Sequence, residues 1–283
     1  MPELPEVETI TRALREGGRN GNPILGTTVI QPHLLWTRAL AEPDPAHFLA
    51  RLPGQVIQAV NRRGKFLVLE LSLDYLLIHL RMSGDLRVEP SAGTGADRLP
   101  FETHDRLVID LDSAGQGLRL VFNDPRKFGR VWLATDPDRI LSRLGPEPLD
   151  PQFTPYNLYQ RLQQFRRQIK PLLLDQSFLA GLGNIYTDEA LHLARIHPLR
   201  ISSSISFDEA NLLWQSIQTV LIEGIRRNGA SIDWVYRGGD FQNAFQVYQR
   251  TGQPCPQCGA PVVKIAVGQR STHFCPVCQP EPK

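Results

Sequence analysis

The chain has 283 residues, of which 41% are hydrophobic, and this suits one or two sizeable cores plus a small module. Its 31 lysines and arginines nearly balance 29 acids, so the net charge of +2 does not by itself identify a partner. No apolar run is long enough to span a membrane, and the first ten residues, with three acids and no base, are unlike a signal peptide. We therefore expect a soluble intracellular protein.

A candidate nucleophile lies at position 2. Removal of Met1, which a small second residue favours, would leave Pro2 with a free secondary amine. An α-amino group has a reference pKa of about 7.7–8.0 against about 10.4 for lysine, so more of it is unprotonated at neutral pH. Such an amine can attack carbon and form an iminium, which favours elimination. Glu3 is the adjacent candidate proton shuttle, and the alternative is an ordinary N-terminus without a catalytic role.

The first half of the chain predicts one helix followed by strands. Residues 5–15 place their apolar side chains on one helical face, and two glycines end the helix. Alternating or fully apolar runs predict strands at residues 55–60, 66–71, 76–82, 107–111, 118–123 and 131–134. Strands that repeat without intervening helices indicate an antiparallel sandwich or barrel.

The second half of the chain predicts helices. Proline-rich residues 145–151 indicate a linker, and Ser206 with Glu209 forms a capping box ahead of an apolar helical face. Between two helical stretches, Gly181 and Gly183 permit a tight turn in which Asn184 can cap the next helix. The N-terminus of that helix is a candidate phosphate site, and a plain helical hairpin is the alternative.

Basic residues concentrate in three segments that contain no acid: residues 51–69, 151–174 and 241–280. We interpret these segments as parts of one surface that binds a polyanion. The alternative is ordinary solvated surface charge.

All four cysteines lie near the end of the chain, as Cys255-x2-Cys258 and Cys275-x2-Cys278 with 16 residues between the pairs. This spacing is typical of a structural zinc site in which four thiolates surround one Zn²⁺. Two disulfide bonds are the alternative, and a reducing compartment favours the metal. A catalytic zinc is not expected, because four cysteines leave no ligand position open.

Five motifs occur together and in one order: residues 2–8, 79–84, 124–129, 183–186 and the terminal four cysteines. With them the chain resembles the bacterial-type formamidopyrimidine-DNA glycosylases over nearly its whole length. The resemblance implies an α+β fold, with an N-terminal helix and antiparallel β-sandwich, a helical helix–two-turn–helix domain and a C-terminal β-hairpin zinc finger.

The resemblance also implies four segments. These are a catalytic sandwich at 1–135, a linker at 136–152, a DNA-binding helical domain at 153–245 and the zinc finger at 246–283. Residues 229–245 correspond to a lesion-capping loop, and the glycines at 238 and 239 indicate mobility.

The function implied by the resemblance is bifunctional base-excision repair. The enzyme would remove oxidised purines (8-oxoguanine and formamidopyrimidines) from duplex DNA through a Pro2 Schiff base, then cleave the abasic strand by β,δ-elimination. Its expected partner is duplex DNA with oxidised purines or abasic sites, its expected cofactor is one structural Zn²⁺, and it is expected to be a monomer. A bacterial cytoplasmic location follows, with nucleoid association during repair.

Site residues are carried over from the resemblance. The expected catalytic residues are Pro2, Glu3, Lys65 and Arg270, with Glu6 in support. The expected DNA contacts are His79, Met82, His104, Arg126, Phe128, Lys170 and Asn184.

Three of these contacts, Met82, Arg126 and Phe128, would fill the hole that a flipped base leaves. Arg126 and Phe128 are two residues apart, so an extended segment would point both the same way. By residue type alone, His79, Met82 and Phe128 suit core positions and Lys170 suits the surface.

Three functions therefore remain open from the sequence. The first is a purine-lesion glycosylase and lyase, which Leu4 and the three void-filling residues favour. The second is a sister enzyme for oxidised pyrimidines that shares the chemistry of Pro2 and Glu3. The third is a zinc-containing DNA-binding protein without catalysis, in which a retained Met1 would block the amine.

Overall fold

The computed structural model describes residues 1–18, 21–91, 100–231 and 238–281. Two compact units account for the described parts of the chain. One contains Met1–Pro2 and Glu6–Ser142, and the other contains Glu3–Pro5, Arg143–Ala230 and Gly239–Lys283. The boundary between Ser142 and Arg143 lies inside the predicted linker, and the four predicted segments stay a prediction.

The elements up to Leu141 are mostly strands. In chain order they are α1 (Leu4–Glu16), β1 (Thr28–Leu34), β2 (Leu40–Glu42), α2 (Pro45–Arg51), β3 (Ile57–Arg63), β4 (Phe66–Leu71), β5 (Tyr75–His79), β6 (Asp85–Pro90), β7 (Asp105–Ser113), β8 (Gln116–Asn123), β9 (Arg130–Ala134) and α3 (Asp138–Leu141). Helix α1 extends one residue beyond the predicted 5–15 at each end. Pro5 is its second residue, where a missing N–H breaks no helical hydrogen bond.

The strands form two sheets around one core, which confirms the predicted sandwich. One sheet has the order β1-β7-β8-β6 and the other has the order β2-β9-β5-β4-β3. Apolar side chains of both sheets share this core with Val7, Ile10 and Leu14 of α1. The pairing is antiparallel except between β2 and β9, which run parallel, so the prediction of a purely antiparallel sandwich is wrong at this edge.

The predicted strand limits are correct where apolar runs are uninterrupted. Strand β4 has the predicted bounds, but the strand predicted at 76–82 ends at His79. Arg81 has φ of 55°, in the left-handed region, and this turn ends the strand. The sequence did not predict strands β1 and β6. Pro32 interrupts the apolar pattern of β1, and every second residue of β6 is charged.

The second unit is helical with one hairpin. Its elements are α4 (Pro155–Gln163), α5 (Ile169–Leu174), α6 (Asn184–Leu193), α7 (Phe207–Arg226), β10 (Val263–Val267) and β11 (Arg270–Phe274). The predicted capping box is confirmed: Ser206 Oγ accepts the Glu209 N–H at 3.2 Å, and Glu209 Oε2 accepts the Ser206 N–H at 2.8 Å. Across the described ranges, no helix is both long and apolar enough to cross a membrane.

Helices α6 and α7 meet at a glycine. A Cβ at Gly224 of α7 would lie 2.5 Å from the Tyr186 ring of α6. Tyr186 is fully buried and stacks on Phe241, with ring centroids 4.9 Å apart. The two helices can therefore approach this closely only because residue 224 has no side chain.

We predict that Gly224→Ala destabilises the protein by about 1–3 kcal/mol, because the added methyl group overpacks the α6–α7 contact. In an unobstructed helix, the same change would stabilise by about 1 kcal/mol. The free energy of unfolding, measured with urea, decides the sign. Gln215→Ala on the exposed side of α7 is the control and should change stability by less than about 0.5 kcal/mol. A Gly224→Ala protein as stable as the wild type would contradict this packing.

Candidate active site and metal centre

The carboxylate of Glu3 caps the N-terminus of α6. Its Oε2 accepts the N–H of Gly183 at 2.7 Å and of Tyr186 at 3.4 Å, and its Oε1 accepts the N–H of Ile185 at 2.9 Å. The first N–H groups of a helix lack internal partners, and the helix dipole favours an anion there. These bonds hold a buried carboxylate in one orientation directly after Pro2.

Two glycines make room for this contact. A Cβ at Gly183 would lie 2.3 Å from Glu3 Cδ, and one at Gly181 would lie 2.6 Å from the Leu4 side chain. Gly181 also has φ of 92°, as the predicted tight turn requires. The predicted cap is wrong: Gly183 occupies the cap position and Asn184 is the first helical residue. At this helix N-terminus the N–H groups of Gly183, Ile185 and Tyr186 donate to Glu3, and a phosphate contact through Asn184 stays a prediction.

Lys170 lies in the interior of the second unit. Its Nζ donates to Asp188 Oδ1 at 2.6 Å and to the Ser271 carbonyl at 2.8 Å. Asn184 Nδ2 donates to the same carbonyl at 2.9 Å. Burial lowers the pKa of Lys170, while the charge of Asp188 acts in the opposite direction. The interpretation of Lys170 as a surface lysine is therefore wrong.

Lys65 and His79 lie close together in the first unit. Lys65 is in the turn between β3 and β4, 4% exposed, and the next residue, Phe66, pairs with His79 across β4 and β5. The His79 ring packs edge-on against Phe66 at 4.7 Å, and its Nδ1 accepts the N–H of Arg81 at 3.0 Å. Burial, reinforced by the charges of Arg81 and Lys65, lowers the pKa of His79 to about 3. This histidine is therefore neutral near pH 7.

A hydrogen-bond chain ties together two turns that carry the expected void-filling residues. Met82 lies in the turn after β5, and its neighbour Ser83 donates its hydroxyl to the Asp124 carboxylate. The N–H of Arg126 donates to Ser83 Oγ at 3.2 Å. Ser83 and Asp124 are both buried, and sequence reasoning missed them. Asp124 is the first residue of the 124–129 motif, and its place there was the sequence signal that could have identified it.

Arg126 and Phe128 project together from the second turn. The Arg126 guanidinium lies over the Phe128 ring, 5.1 Å from its centroid. Phe128 is 49% exposed and Met82 is half-buried, so Phe128 is not a core residue. Lys127 has φ of 63°, so the predicted extended segment is wrong and a turn brings these side chains together.

The remaining predicted residues have varied surroundings. Pro2 and Glu6 are buried, and His104 is exposed beside Arg106, whose Nη2 lies 3.4 Å from His104 Nδ1. Arg270 is exposed at the first residue of β11. Part of the expected lesion loop, residues 232–237, lies outside the described residues.

The predicted basic surface is smaller than expected, because several cations have internal partners. Arg62 pairs with Glu8 at 3.1 Å, Arg161 donates to the Phe178 carbonyl at 2.9 Å, and Arg250 donates to another backbone carbonyl at 3.0 Å. The exposed basic side chains of the three segments are Arg166, Arg167, Lys264 and Arg270.

The four cysteines form a metal centre. Their sulfur atoms all lie within 4.8 Å of one another, and no pair is disulfide-bonded. Sγ of Cys255 is 3.9 Å from that of Cys278, and Sγ of Cys258 is 3.4 Å from that of Cys275. Tetrahedral zinc with Zn–S bonds of about 2.3 Å would separate its sulfurs by about 3.8 Å. The donor set and its spacing fit one structural Zn²⁺, which would cross-link both ends of the β10–β11 module.

Family models match the chain in three successive parts. Residues 1–131 match the formamidopyrimidine-DNA glycosylase N-terminal domain, and residues 144–235 match the formamidopyrimidine-DNA glycosylase H2TH domain. Residues 252–280 match a zinc finger found in FPG and IleRS.

Named proteins are similar over the full length. The formamidopyrimidine-DNA glycosylase of Chloroflexus aurantiacus is 45% identical over 290 residues, covering 99% of this chain and 98% of its own. A structure of MutM in complex with DNA containing carbocyclic 8-oxo-G has a TM-score of 0.86 at 38% identity, covering 99% of this chain and 100% of that chain. Wild-type Lactococcus lactis Fpg (MutM), in complex with DNA containing N7-benzyl-Fapy-dG, gives 0.87 at 38% identity with the same coverage.

We predict that His79 steepens the loss of stability in acid. Its pKa is about 3 in the folded protein and near 6.5 when exposed, so between these values only the unfolded chain takes up the proton. Stability should therefore fall as pH decreases through this window, with a contribution of up to about 1.4 kcal/mol per pH unit. Urea unfolding of wild type and His79→Gln from pH 7.5 to 4.5 should show a shallower slope for the variant. Parallel curves would contradict the burial of a neutral ring.

Proposed function

This chain belongs to the formamidopyrimidine-DNA glycosylase family, and we propose that it removes oxidised purines from duplex DNA and cleaves the strand at the resulting abasic site. Glycosylase activity combined with abasic-site lyase activity is typical of this family. The observation that carries the proposal is the Glu3 carboxylate, which three backbone N–H groups hold directly after Pro2.

The proposed reaction begins with Pro2 as the N-terminal residue. Its nitrogen lone pair forms a bond to C1′ of the damaged nucleotide, and the electrons of the glycosidic bond leave with the base, which gains a proton. Ring opening then transfers a proton to O4′ and leaves an iminium between Pro2 and C1′. Loss of a C2′ proton expels the 3′ phosphate, and a second elimination expels the 5′ phosphate. Glu3 is the proposed group that moves these protons.

Phosphate contacts are proposed for both units. In the first unit they are Lys65, with His79 close to it, and His104, which directly precedes β7 of the other sheet. Lys65 offers a compact positive charge suited to a phosphate. In the second unit they are Asn184 and the exposed Arg270, whose guanidinium can donate two bonds to one phosphate.

For Lys170 we propose a supporting role in place of the direct DNA contact that the sequence predicted. Its ammonium is fully buried against Asp188 and the Ser271 carbonyl. We propose that it supports the phosphate site by fixing the strand that begins with Arg270.

A bacterial enzyme with this substrate would act at the nucleoid.

Met82, Arg126 and Phe128 are proposed to fill the space of the extruded base. An enzyme that acts on a base in duplex DNA must rotate it out of the stack. An exposed aromatic ring can enter the gap, and a guanidinium has donors for the orphaned partner base. The hydrogen bonds of Ser83 and Asp124 support this role, because they fix both turns before DNA arrives.

We predict that borohydride will link the protein to lesion-containing DNA through Pro2, because it reduces the iminium to a stable amine. The substrates are duplexes with 8-oxoguanine opposite cytosine and with thymine glycol opposite adenine. Peptide analysis should find Met1 absent and the adduct on the N-terminal peptide, with 8-oxoguanine the preferred substrate.

Lys65→Arg is the control, because it retains the charge but has no amine that could form the adduct. The link to Pro2 should persist in this variant at a reduced rate. An adduct on Lys65, or full activity with Met1 retained, would contradict the proposed chemistry. Preference for thymine glycol would favour the pyrimidine enzyme, and no adduct on either duplex would favour a non-catalytic DNA-binding protein.

We predict that Phe128→Ala changes the free energy of unfolding by less than about 0.5 kcal/mol, because the ring is half exposed. Excision of 8-oxoguanine from a paired duplex should fall strongly, since the vacated space goes unfilled. Cleavage of a preformed abasic site should fall less, because no damaged base remains to be extruded. Leu73→Ala, another exposed apolar residue of the same unit, is the control and should retain both activities. Equal losses on both substrates with a large drop in melting temperature would contradict the wedge role.

A further inference from the structure

The last turn of α6 places a histidine against a cysteine of the metal centre. His192 is fully buried, and its Nε2 lies 3.3 Å from Sγ of Cys255. Its Nδ1 has no hydrogen-bond partner within the parts of the chain that the structure covers. A phenylalanine would fill the same space without burying a polar nitrogen, which costs stability. The property that distinguishes histidine here is a ring N–H, and the atom that meets it is the sulfur.

The position of His192 continues a pattern along α6. Asn184, Asp188 and His192 are each four residues apart and therefore share one face of the helix. All three side chains contact the cysteine-bearing module. Their respective partners are the Ser271 carbonyl at 2.9 Å, the His273 N–H at 2.9 Å and Cys255 Sγ at 3.3 Å.

A second acid of α6 holds the chain that leads into this module. Glu189 is buried, and its carboxylate accepts the N–H groups of Gln246, Val247 and Tyr248 at 2.8–3.0 Å. Burial raises the pKa of Glu189, and these three bonds act in the opposite direction. The polar side chains of α6 thus fix the segment before Cys255 as well as Cys255 itself.

The charge of the metal centre explains why a ring nitrogen contacts Cys255. Four thiolates around one Zn²⁺ carry more negative charge than the ion neutralises. A coordinating sulfur is stabilised by N–H donors around it, and outer partners of this kind orient metal ligands. Cys275 Sγ receives such a bond from the N–H of Cys278 at 3.4 Å. For Cys255 the ring nitrogen at hydrogen-bonding distance is Nε2 of His192, 3.3 Å from the sulfur.

We propose that His192 is a positioning residue of the zinc centre, which donates its Nε2–H to the Cys255 thiolate and so couples zinc binding to the docking of the finger on α6. This role is independent of the proposed glycosylase reaction. It concerns metal affinity and the position of Cys255, which can be measured without DNA.

The test compares His192→Phe with wild type as full-length zinc-loaded proteins. Competition with a chromophoric chelator should show zinc affinity reduced on the order of 10–100-fold, the usual effect of losing an outer partner of a metal ligand. His197→Phe is the matched control: this buried histidine packs on Phe274 at 4.7 Å but is not hydrogen-bonded to a sulfur. It should retain zinc affinity within about threefold. Equal affinity in His192→Phe and wild type would overturn the proposal.

Two spectroscopic measurements distinguish a hydrogen bond from loss of packing. In Co²⁺-loaded protein, the thiolate-to-metal charge-transfer band should move to longer wavelength in His192→Phe, because the sulfur loses a donor, and His192→Gln should restore part of the shift. In ¹¹³Cd-loaded wild type, the Nε2 proton of His192 should show coupling to the metal through the sulfur. The proposal would be overturned by an Nε2 without a proton, or by spectra showing His192 as a direct ligand.

Discussion

Much of this structure depends on one electrostatic contact, between the Glu3 carboxylate and the N-terminus of α6. The helix has no cap of its own, because the cap position is Gly183. Glu3 supplies the missing acceptor from 180 residues away in sequence. The contact requires glycine at 183, where a Cβ would meet the carboxylate. The Glu3 carboxylate is thus held by backbone groups, whose directions the helix itself maintains.

The same helix organises the metal-binding module. Asn184, Asp188, Glu189 and His192 are buried or half-buried polar residues, and each has a partner in the module or in the chain that leads to it. Burying polar groups is unfavourable unless they are hydrogen-bonded, so these residues tolerate few alternative arrangements of the finger. Helix α6 therefore binds the Glu3 carboxylate at its first turn and contacts Cys255, a predicted zinc ligand, at its last turn.

In the first unit, the proposed DNA-inserting residues depend on turns with equally close packing. Gly84 and Gly129 both approach the Phe122 ring, where a Cβ would lie 2.8 Å and 2.3 Å from ring carbons. With Phe122 packed there, the Ser83–Asp124 hydrogen bond can link the turns of Met82 and Phe128. An exposed aromatic side chain gains its fixed position from buried neighbours, which is how a wedge can be both accessible and ordered.

Features that depend on neighbours in sequence could be predicted from the sequence alone: the limits of β4, the Ser206 capping box and the four-cysteine metal centre. Their spacing and residue types suffice, because all the interacting groups lie within a few turns or one short module. Tertiary structure alone decided that Glu3 caps α6, that Lys170 is buried against Asp188 and that Phe128 is exposed. Residue type alone cannot predict these three positions. A lysine, for example, becomes a core residue only when a carboxylate elsewhere in the chain compensates its desolvation.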